Sequence, residues 1–232
     1  MSKNLCIIPA RGGSKRIPRK NIKDFLGKPI IAYSIEAALK SELFDEVMVS
    51  TDDEEIAGIA KENGAKVPFF RSNKNADDFA TTVDVLVEVI ESYNNIWRNF
   101  DTICCIYPTA PFTRENKLKE AYKKLKEESL DSVFPVLPFS YPIQRALKLE
   151  SYKISFFYPE FESSRSQDLE KAYHDSGQFY FMKTETLMRN KSIFSANTGG
   201  IIINDLEAQD IDTETDWKIA EIKYGMLHDF NN

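Results

Sequence analysis

The chain has 232 residues, of which 42% are hydrophobic and 28% are charged. These proportions are ordinary for a globular protein, and the length suits one large α/β domain or two small ones. No apolar run approaches the ~20 residues that a bilayer-crossing helix needs. The net charge of −6 argues against broad binding to nucleic acid or to a membrane surface. We therefore expect neither kind of partner.

The three cysteines, Cys6, Cys104 and Cys105, all lie in apolar segments that are typical of strands. An odd number of cysteines does not suit a disulfide framework, and an adjacent pair without a second pair lacks the spacing of a zinc site. The first residues enter a short apolar run without the hydrophobic core or cleavage site of a secretory signal. The sequence thus predicts reduced thiols in a cytoplasmic protein.

Short apolar runs alternate with helical patterns along the chain, which is typical of βαβ units in an α/β fold. Thr51 and Glu54 have the spacing of a capping box for the second helix, which Gly64 ends. The pattern predicts strands at 4–8, 46–50, 67–70, 101–106, 132–136, 178–182 and 201–204, and helices at 29–40, 52–63, 82–93, 115–127 and 214–227.

Residues 137–176, which we call the arm, mix proline, aromatic and polar residues without a regular period. An irregular insertion of this length in a compact chain is typical of a binding lid or an oligomerisation arm. No internal repeat or interdomain linker is evident. We expect residues 1–232 to form a single domain that carries this arm.

A basic loop, residues 11–28, follows the first strand directly. It contains seven basic residues and one acidic residue, Asp24. The adjacent Gly12 and Gly13 allow a backbone with φ > 0 or a close approach to a ligand. Backbone N–H groups and cationic side chains in such a loop can hold an anion together. The order Gly13-Ser14-Lys15 fits neither a P-loop nor a dinucleotide turn. The loop predicts a phosphate site, and the alternative is a solvated run of charge.

An acidic segment, Asp210-Ile211-Asp212, precedes the last predicted helix. Alternate residues of an extended chain face the same side, so these two carboxylates can converge on one cation. Hard oxygen ligands suit Mg²⁺, which commonly bridges carboxylates to substrate phosphates. The alternative is that Asp212 or Thr213 serves only as the N-cap of the helix.

Residues 165–178 bring together side chains that suit a hydroxylated, carboxylated ligand. Arg165 has the planar fork that matches a carboxylate, and Gln167 and Asp175 add polar contacts. His174, one of two histidines, can act as a ligand contact, as a structural hydrogen-bonding residue or as a general base.

The segment Ile8-Pro9-Ala10-Arg11-Gly12-Gly13-Ser14-Lys15, followed by Pro18 and Lys20-Asn21, resembles the acylneuraminate cytidylyltransferase family, which activates nonulosonic acids as CMP-sugars. The resemblance continues, in the family's order, through Val49-Ser50-Thr51-Asp52, Arg71, Ala80-Thr81-Thr82, Pro108-Thr109-Ala110-Pro111 and Asp210-Ile211-Asp212-Thr213-Glu214. Sialic-acid members generally have Gln at the place of Tyr107 and a Lys near Gln144-Arg145. Three further blocks look most like the pseudaminic acid branch: Cys104-Cys105-Ile106-Tyr107, Phe139 to Ala146, and Tyr173-His174-Asp175.

This resemblance implies a three-layer α/β fold of the nucleotide-diphospho-sugar transferase, Rossmann-like type. Its mixed, mostly parallel sheet would carry an extended dimerisation arm in a homodimer. The resemblance also implies roles for particular side chains. CTP phosphates and ribose would be held by Arg11, Gly12, Gly13, Ser14, Lys15, Lys20 and Asn21, and cytosine would be held by Arg71, Ala80, Thr81 and Thr82. Mg²⁺ would be held by Asp210 and Asp212. The sugar would be held by Tyr107, Gln144, Arg145, Arg165, Gln167, His174 and Asp175.

The implied reaction is attack of the sugar's anomeric hydroxyl on the α-phosphorus of CTP, with release of pyrophosphate. Positioning and charge neutralisation carry such a transfer, so Arg11, Lys20, Asp210 and Asp212 are the expected catalytic residues. Three alternatives stay open. They are activation of sialic, legionaminic or 3-deoxy-octulosonic acid, nucleotide binding without chemistry, and, least consistent with the charge, nucleic-acid binding.

Overall fold

The computed structural model describes residues 2–229. The strands are β1 (Asn4–Pro9), β2 (Asp24–Phe25), β3 (Lys28–Pro29), β4 (Glu46–Ser50), β5 (Thr102–Ile106), β6 (Ser132–Pro138), β7 (Leu147–Glu150), β8 (Lys153–Phe156), β9 (Tyr173–Asp175), β10 (Phe179–Lys183) and β11 (Thr198–Ile202). The helices are α1 (Ile30–Ser41), α2 (Glu54–Glu62), α3 (Thr82–Asn95), α4 (Glu115–Glu127), α5 (Thr184–Asn190) and α6 (Glu214–Asp229).

The central sheet has the strand order β11-β6-β10-β5-β1-β4, with β9 also paired to β6. β1 pairs in parallel with β4 and β5, and β11 pairs in parallel with β6. β10 lies antiparallel between β5 and β6. The predicted mixed, mostly parallel sheet is therefore confirmed. The parallel strands β1, β4 and β5 end at one edge, where ligands bind in open α/β sheets.

Helices cover both faces of this sheet. Cys6 and Ile8 of β1 pack with α1, α2 and α4, while Leu5 and Ile7 pack with α3 and α5 on the opposite face. The alternation follows the two-residue period of a strand. Three layers result, as predicted. Among residues 2–229, no helix combines the length and apolar character that a membrane span requires.

A separate apolar cluster fixes α6 beside the basic loop. Phe25 makes edge-to-face contacts with Tyr33 and Trp217, with ring centroids 5.4 and 5.6 Å apart. Ile17 of the loop and Ile211 of the acidic segment are buried in the same cluster. Burial of these side chains brings together two charged segments that lie far apart in the sequence.

Two predictions were wrong, one for the N-cap of the second helix and one for a strand at 67–70. Its N-cap is Asp53, whose carboxylate accepts a hydrogen bond from the Ile56 N–H at 3.0 Å, whereas Thr51 accepts one only from the Asp53 N–H. Residues 67–70 form no strand. Pairing with β4 is limited to Lys66, because Pro68 has no N–H to continue it.

The last predicted strand, 201–204, begins earlier in the structure, at Thr198. Gly199 and Gly200 disfavour a strand by propensity, which hid this start. An added Cβ at Gly199 would lie 2.4 Å from Leu130 Cδ1, so any larger residue there would have to displace the Leu130 side chain. Tertiary contact thus overrides the local preference.

The arm is more regular than its sequence indicates. β7 and β8 form an antiparallel hairpin, and the turn residues Ser151 and Tyr152 both have positive φ, 49° and 67°. Turns of this backbone shape usually carry Asn or Gly, so the sequence lacked the expected signal. β9, at the end of the arm, pairs with the last residues of β6. The short helix α5 also escaped prediction.

Candidate active site

A first cleft of about 500 Å³ opens at the carboxyl ends of β1 and β5. Strand ends place the basic loop and Tyr107 on either side of it. Arg71 also lines the cleft; its side chain is buried and donates to the Ser50 carbonyl oxygen at 2.6 Å. Ten of the predicted residues line this cleft: Arg11, Ser14, Lys15, Lys20, Asn21, Arg71, Ala80, Thr81, Thr82 and Tyr107.

The two glycines of the loop, Gly12 and Gly13, differ in how much space surrounds them. Neither has a φ in the left-handed region. At Gly12 the carboxylate of Asp53 leaves no room, since an added Cβ would lie 2.7 Å from its Oδ2 atom. The Gly12 N–H donates to Asp52 at 3.0 Å. Gly13 has open space beside it. Close approach of Asp53 explains Gly12, and the expected positive φ occurs at neither glycine.

The loop cations are held in place by carboxylates. Asp78 contacts both Arg11, at 3.0 Å, and Lys15. Arg19 has φ 56° and forms ion pairs with Asp53 and Glu55 that attach the loop to the start of α2. These ion pairs organise the loop around carboxylates, although the Lys15 side chain itself is 78% exposed.

Lys20 joins the basic loop to the acidic segment. Its ammonium donates to the Ile211 carbonyl oxygen at 2.6 Å and lies 3.6 Å from the Asp212 carboxylate. Arg16 approaches the same carboxylate oxygen at 2.7 Å. Two cations therefore converge on Asp212.

Of the two residues considered as the N-cap of the last helix, Thr213 has this role and Asp212 does not. Thr213 accepts from the Asp216 N–H at 3.2 Å, and the Asp216 carboxylate accepts from the Thr213 N–H at 2.8 Å. This reciprocal pair caps α6. The Asp212 carboxylate is left free to face the basic loop.

The acidic segment is electrostatically suited to a cation. Burial raises the pKa of Asp210, and the negative charge of Asp212 raises it further. A divalent ion bound there would relieve both effects. Within residues 2–229, however, no three His, Cys, Asp or Glu side chains are grouped as a complete metal site. A substrate phosphate would have to supply further oxygens.

A second cleft, of about 600 Å³, adjoins the first. Four predicted residues line it, namely Tyr107, His174, Asp175 and Asp210. Because Tyr107 lines both clefts, two ligands bound in them would meet at this side chain. Asp210 lines the second cleft and interacts electrostatically with Lys20, which lines the first.

A set of hydrogen bonds fixes the wall between the clefts. The Tyr107 hydroxyl lies 3.1 Å from Thr82 Oγ1, and the Tyr180 hydroxyl donates to Asp175 at 2.6 Å. Burial raises the pKa of Tyr107 and of Tyr180, so both remain neutral donors near pH 7. His174 Nδ1 lies 2.9 Å from the Asp175 carbonyl oxygen, which orients its ring towards the cleft.

The structure brings four predicted sugar contacts into neither cleft. Gln144 donates to the Glu170 carbonyl oxygen at 2.9 Å, and Arg145 lies 3.5 Å from Ser166 Oγ. Arg165 forms an exposed ion pair with Asp168 at 2.7 Å, and Gln167 belongs to the same exposed turn. All four lie on the arm, whose contacts here are within the arm itself.

Several lining residues were missed by sequence reasoning. Arg16 and Asp78 line the first cleft, and Ser176, Tyr180 and Lys223 line the second. The basic run contained a signal for Arg16. Ser176 lies within the polar segment at 165–178, and Tyr180 follows that segment by two residues. The sequence contained no signal for Lys223, because a single lysine in an amphipathic helix is common.

Comparison with known proteins identifies the family of this chain. A model of the family described as Cytidylyltransferase matches residues 5–199. The chain is 47% identical to a pseudaminic acid cytidylyltransferase of Campylobacter jejuni subsp. jejuni serotype O:23/36 (strain 81-176), covering 98% of both chains. It is 33% identical to a CMP-N,N'-diacetyllegionaminic acid synthase of Legionella pneumophila subsp. pneumophila, covering 94% of both.

The fold is similar to that of a solved structure, a CMP:2-keto-3-deoxy-manno-octonic acid synthetase in complex with CTP. The TM-score is 0.72 at 19% identity, and the match covers 98% of this chain and 100% of the other. The predicted fold and the motif resemblance are both confirmed. The chain belongs to the cytidylyltransferase family.

Proposed function

We propose that this chain transfers CMP from CTP to the anomeric hydroxyl of pseudaminic acid and releases pyrophosphate. One observation carries the proposal: the two clefts meet at Tyr107, beside the charged junction of Lys20 with the acidic segment. Such a junction is where the α-phosphate of one ligand would meet the hydroxyl of the other. The substrate follows the 47% identical relatives.

In this proposal the first cleft holds CTP. Arg71 and the Ala80–Thr82 turn surround the base, while Gly12, Gly13, Ser14 and Asn21 offer the loop's polar groups to the ribose and phosphates. Arg11 and Lys15 neutralise the leaving pyrophosphate, and on CTP binding they exchange Asp78 for phosphate oxygens. Lys20 stabilises charge that develops on the transferred phosphorus group.

The acidic segment supports a requirement for Mg²⁺, held by Asp210 and Asp212 together with phosphate oxygens. When bound, the ion would screen the phosphate charge and favour ionisation of the attacking hydroxyl. Arg16 and Lys20 already neutralise Asp212 in the structure, so these side chains would shift towards the phosphates as the ion binds.

The second cleft holds the acid sugar. Tyr107, His174 and Asp175 contact its polar groups, and the shared Tyr107 wall would position the anomeric hydroxyl for in-line attack. His174 is a sugar contact in this proposal: its Nδ1–H donates to the Asp175 carbonyl oxygen, which leaves Nε2 as an acceptor for a sugar hydroxyl.

The chain is proposed to act as a cytoplasmic homodimer joined through the arm. Leu147, Leu149, Ile154 and Phe156 face one side of the β7–β8 hairpin, and the exposed fractions of Leu149 and Ile154 are 70% and 67%. An apolar face of this kind fits a second copy of the chain.

An acceptor panel tests the substrate. We expect kcat/KM for pseudaminic acid to exceed the values for sialic, legionaminic and 3-deoxy-octulosonic acids by at least tenfold, measured as CMP-sugar formed. If kcat/KM is highest for another acid, that acid is the acceptor, and the proposal of pseudaminic acid is wrong. Tight binding of CTP without product from any acid would instead support a nucleotide-binding protein that lacks chemistry.

A further inference from the structure

The second cleft contains one cation among its described lining residues, and that cation is Lys223 of α6. Three carboxylates also line the cleft: Asp175, Asp205 and Asp210. A negatively charged ligand entering such a place meets net repulsion unless a cation receives it. The position of Lys223 therefore decides where an acidic ligand can place its charge.

The Lys223 ammonium is only partly satisfied. It donates to the Ala208 carbonyl oxygen at 2.9 Å, which uses one of its three donors. Its pKa is lowered by burial, and the charge of Asp205 opposes that shift. A partly desolvated ammonium with unused donors is best compensated by an anion.

Ser176 provides a second, independent sign of a ligand. The residue is 5% exposed and its hydroxyl has no hydrogen-bond partner. Its backbone N–H donates to the Pro135 carbonyl oxygen, which fixes it at the bend between β9 and β10, on the wall of the second cleft. A buried hydroxyl without a partner is costly, and a ligand oxygen would remove that cost.

We infer that Lys223 and Ser176 hold the carboxylate of the acceptor sugar. The acid sugar has one group that combines negative charge with two acceptor oxygens, and these two side chains supply a charged donor and a neutral donor. Arg165, the side chain with the best carboxylate fork in the sequence, is paired with Asp168 outside this cleft. The inference rests on the proposed function, because that function supplies the acidic acceptor.

Lys223→Met tests this inference against Lys218→Met, a matched control at an exposed lysine of the same helix. A charge-assisted hydrogen bond contributes about 1.5–3 kcal/mol, so we expect Lys223→Met to weaken pseudaminic acid binding by about 10- to 150-fold. KM for CTP should stay within about twofold. Lys223→Arg should recover part of the affinity, and Lys218→Met should match the wild type.

The ligand offers a complementary test. The carboxamide of pseudaminic acid should bind the wild type more weakly than the free acid, and Lys223→Met should lose this discrimination. If Lys223→Met does not fold, Ser176→Ala and the carboxamide comparison on the wild type still decide. The inference would be overturned if Lys223→Met bound the acid with unchanged affinity. If that variant does not fold, unchanged affinity in Ser176→Ala would overturn it. Equal binding of acid and carboxamide by the wild type would also overturn it.

Binding should be measured by calorimetry with a non-hydrolysable CTP analogue present, so that the result does not depend on turnover. Loss of affinity in the variants with an inactive wild type would contradict only the proposed reaction. Turnover by the wild type with unaltered binding by the variants would contradict only the carboxylate subsite.

Discussion

The Lys20 ammonium donates a 2.6 Å hydrogen bond to the Ile211 carbonyl oxygen, which lies 191 residues away in the sequence. The bond connects the basic loop to the acidic segment between its two carboxylates. Because Ile17 and Ile211 are buried in one apolar cluster, this contact is held by packing as well as by charge. A flexible side chain is thereby fixed where phosphate chemistry is proposed.

Lys20→Met should reduce kcat by about two orders of magnitude, since one lost transition-state contact costs about 3 kcal/mol. Lys119→Met, at an exposed position on α4, provides the control for loss of a lysine charge. Steady-state kinetics with saturating CTP would separate the two. Equal kcat values for both variants would remove Lys20 from the transition state.

Asp212→Ala and Asp216→Ala should affect different properties, although the residues are only four positions apart. The first should affect turnover, and the second should affect thermal stability. Asp212 faces Arg16 and Lys20, so its loss should abolish Mg²⁺-dependent turnover while the melting temperature changes little. Asp216 caps α6 with Thr213, so its loss should lower the melting temperature while turnover persists. Near-normal turnover by Asp212→Ala would contradict the metal role.

These sites show which parts of the structure could be predicted from sequence. The alternation around Leu5–Ile8 and the helical stripe of α3 depend on local periods, so the strands and helices that face the core were predicted well. The basic loop and the acidic segment were also evident as charge patterns. Their juxtaposition was not evident from charge, because it depends on the packing of Phe25, an apolar residue of the loop, against Trp217 of α6.

The second cleft was only partly predictable. His174 and Asp175 lie in a conspicuous polar segment, whereas Lys223 is presented by a helix whose sequence has no special feature. Arg165 has suitable chemistry, but its position on the arm keeps it outside the clefts of its own chain. Residue type can be read from a sequence; the direction in which a long insertion projects cannot.

Glu46 should contribute to stability through a buried network at the end of β4. Its side chain is fully buried and accepts hydrogen bonds from Tyr93, Arg98 at 2.8 Å and Lys66 at 3.0 Å. We expect Glu46→Gln to lower the free energy of unfolding by about 1–3 kcal/mol near pH 7 in denaturant titrations.

The pH dependence of this difference is also predicted. Burial raises the pKa of Glu46, but the hydrogen bonds from Tyr93, Arg98 and Lys66 outweigh it, so the folded pKa lies below its ordinary value of 4.5. The stabilisation is therefore complete above pH 4.5 and is lost as the pH falls through the folded pKa. A gap between wild type and Glu46→Gln that widens on acidification would contradict this account.

Leu149→Asp should disrupt the proposed dimer, because it places a charge on the apolar face of the hairpin. Glu150→Gln, at the neighbouring residue of the same strand, should leave assembly unchanged. Sedimentation velocity of both variants over a range of concentrations would measure the effect. A monomeric wild type, or a Leu149→Asp variant that still dimerises fully, would exclude this face as the interface.

The most direct test of the central claim is to follow pyrophosphate and CMP-sugar together when the protein is given CTP, Mg²⁺ and pseudaminic acid. The account predicts the two products in equal amounts, with none formed when the acid or the metal is omitted. Pyrophosphate released without the acid, or no CMP-sugar when all components are present, would contradict a site in which the two clefts join donor to acceptor.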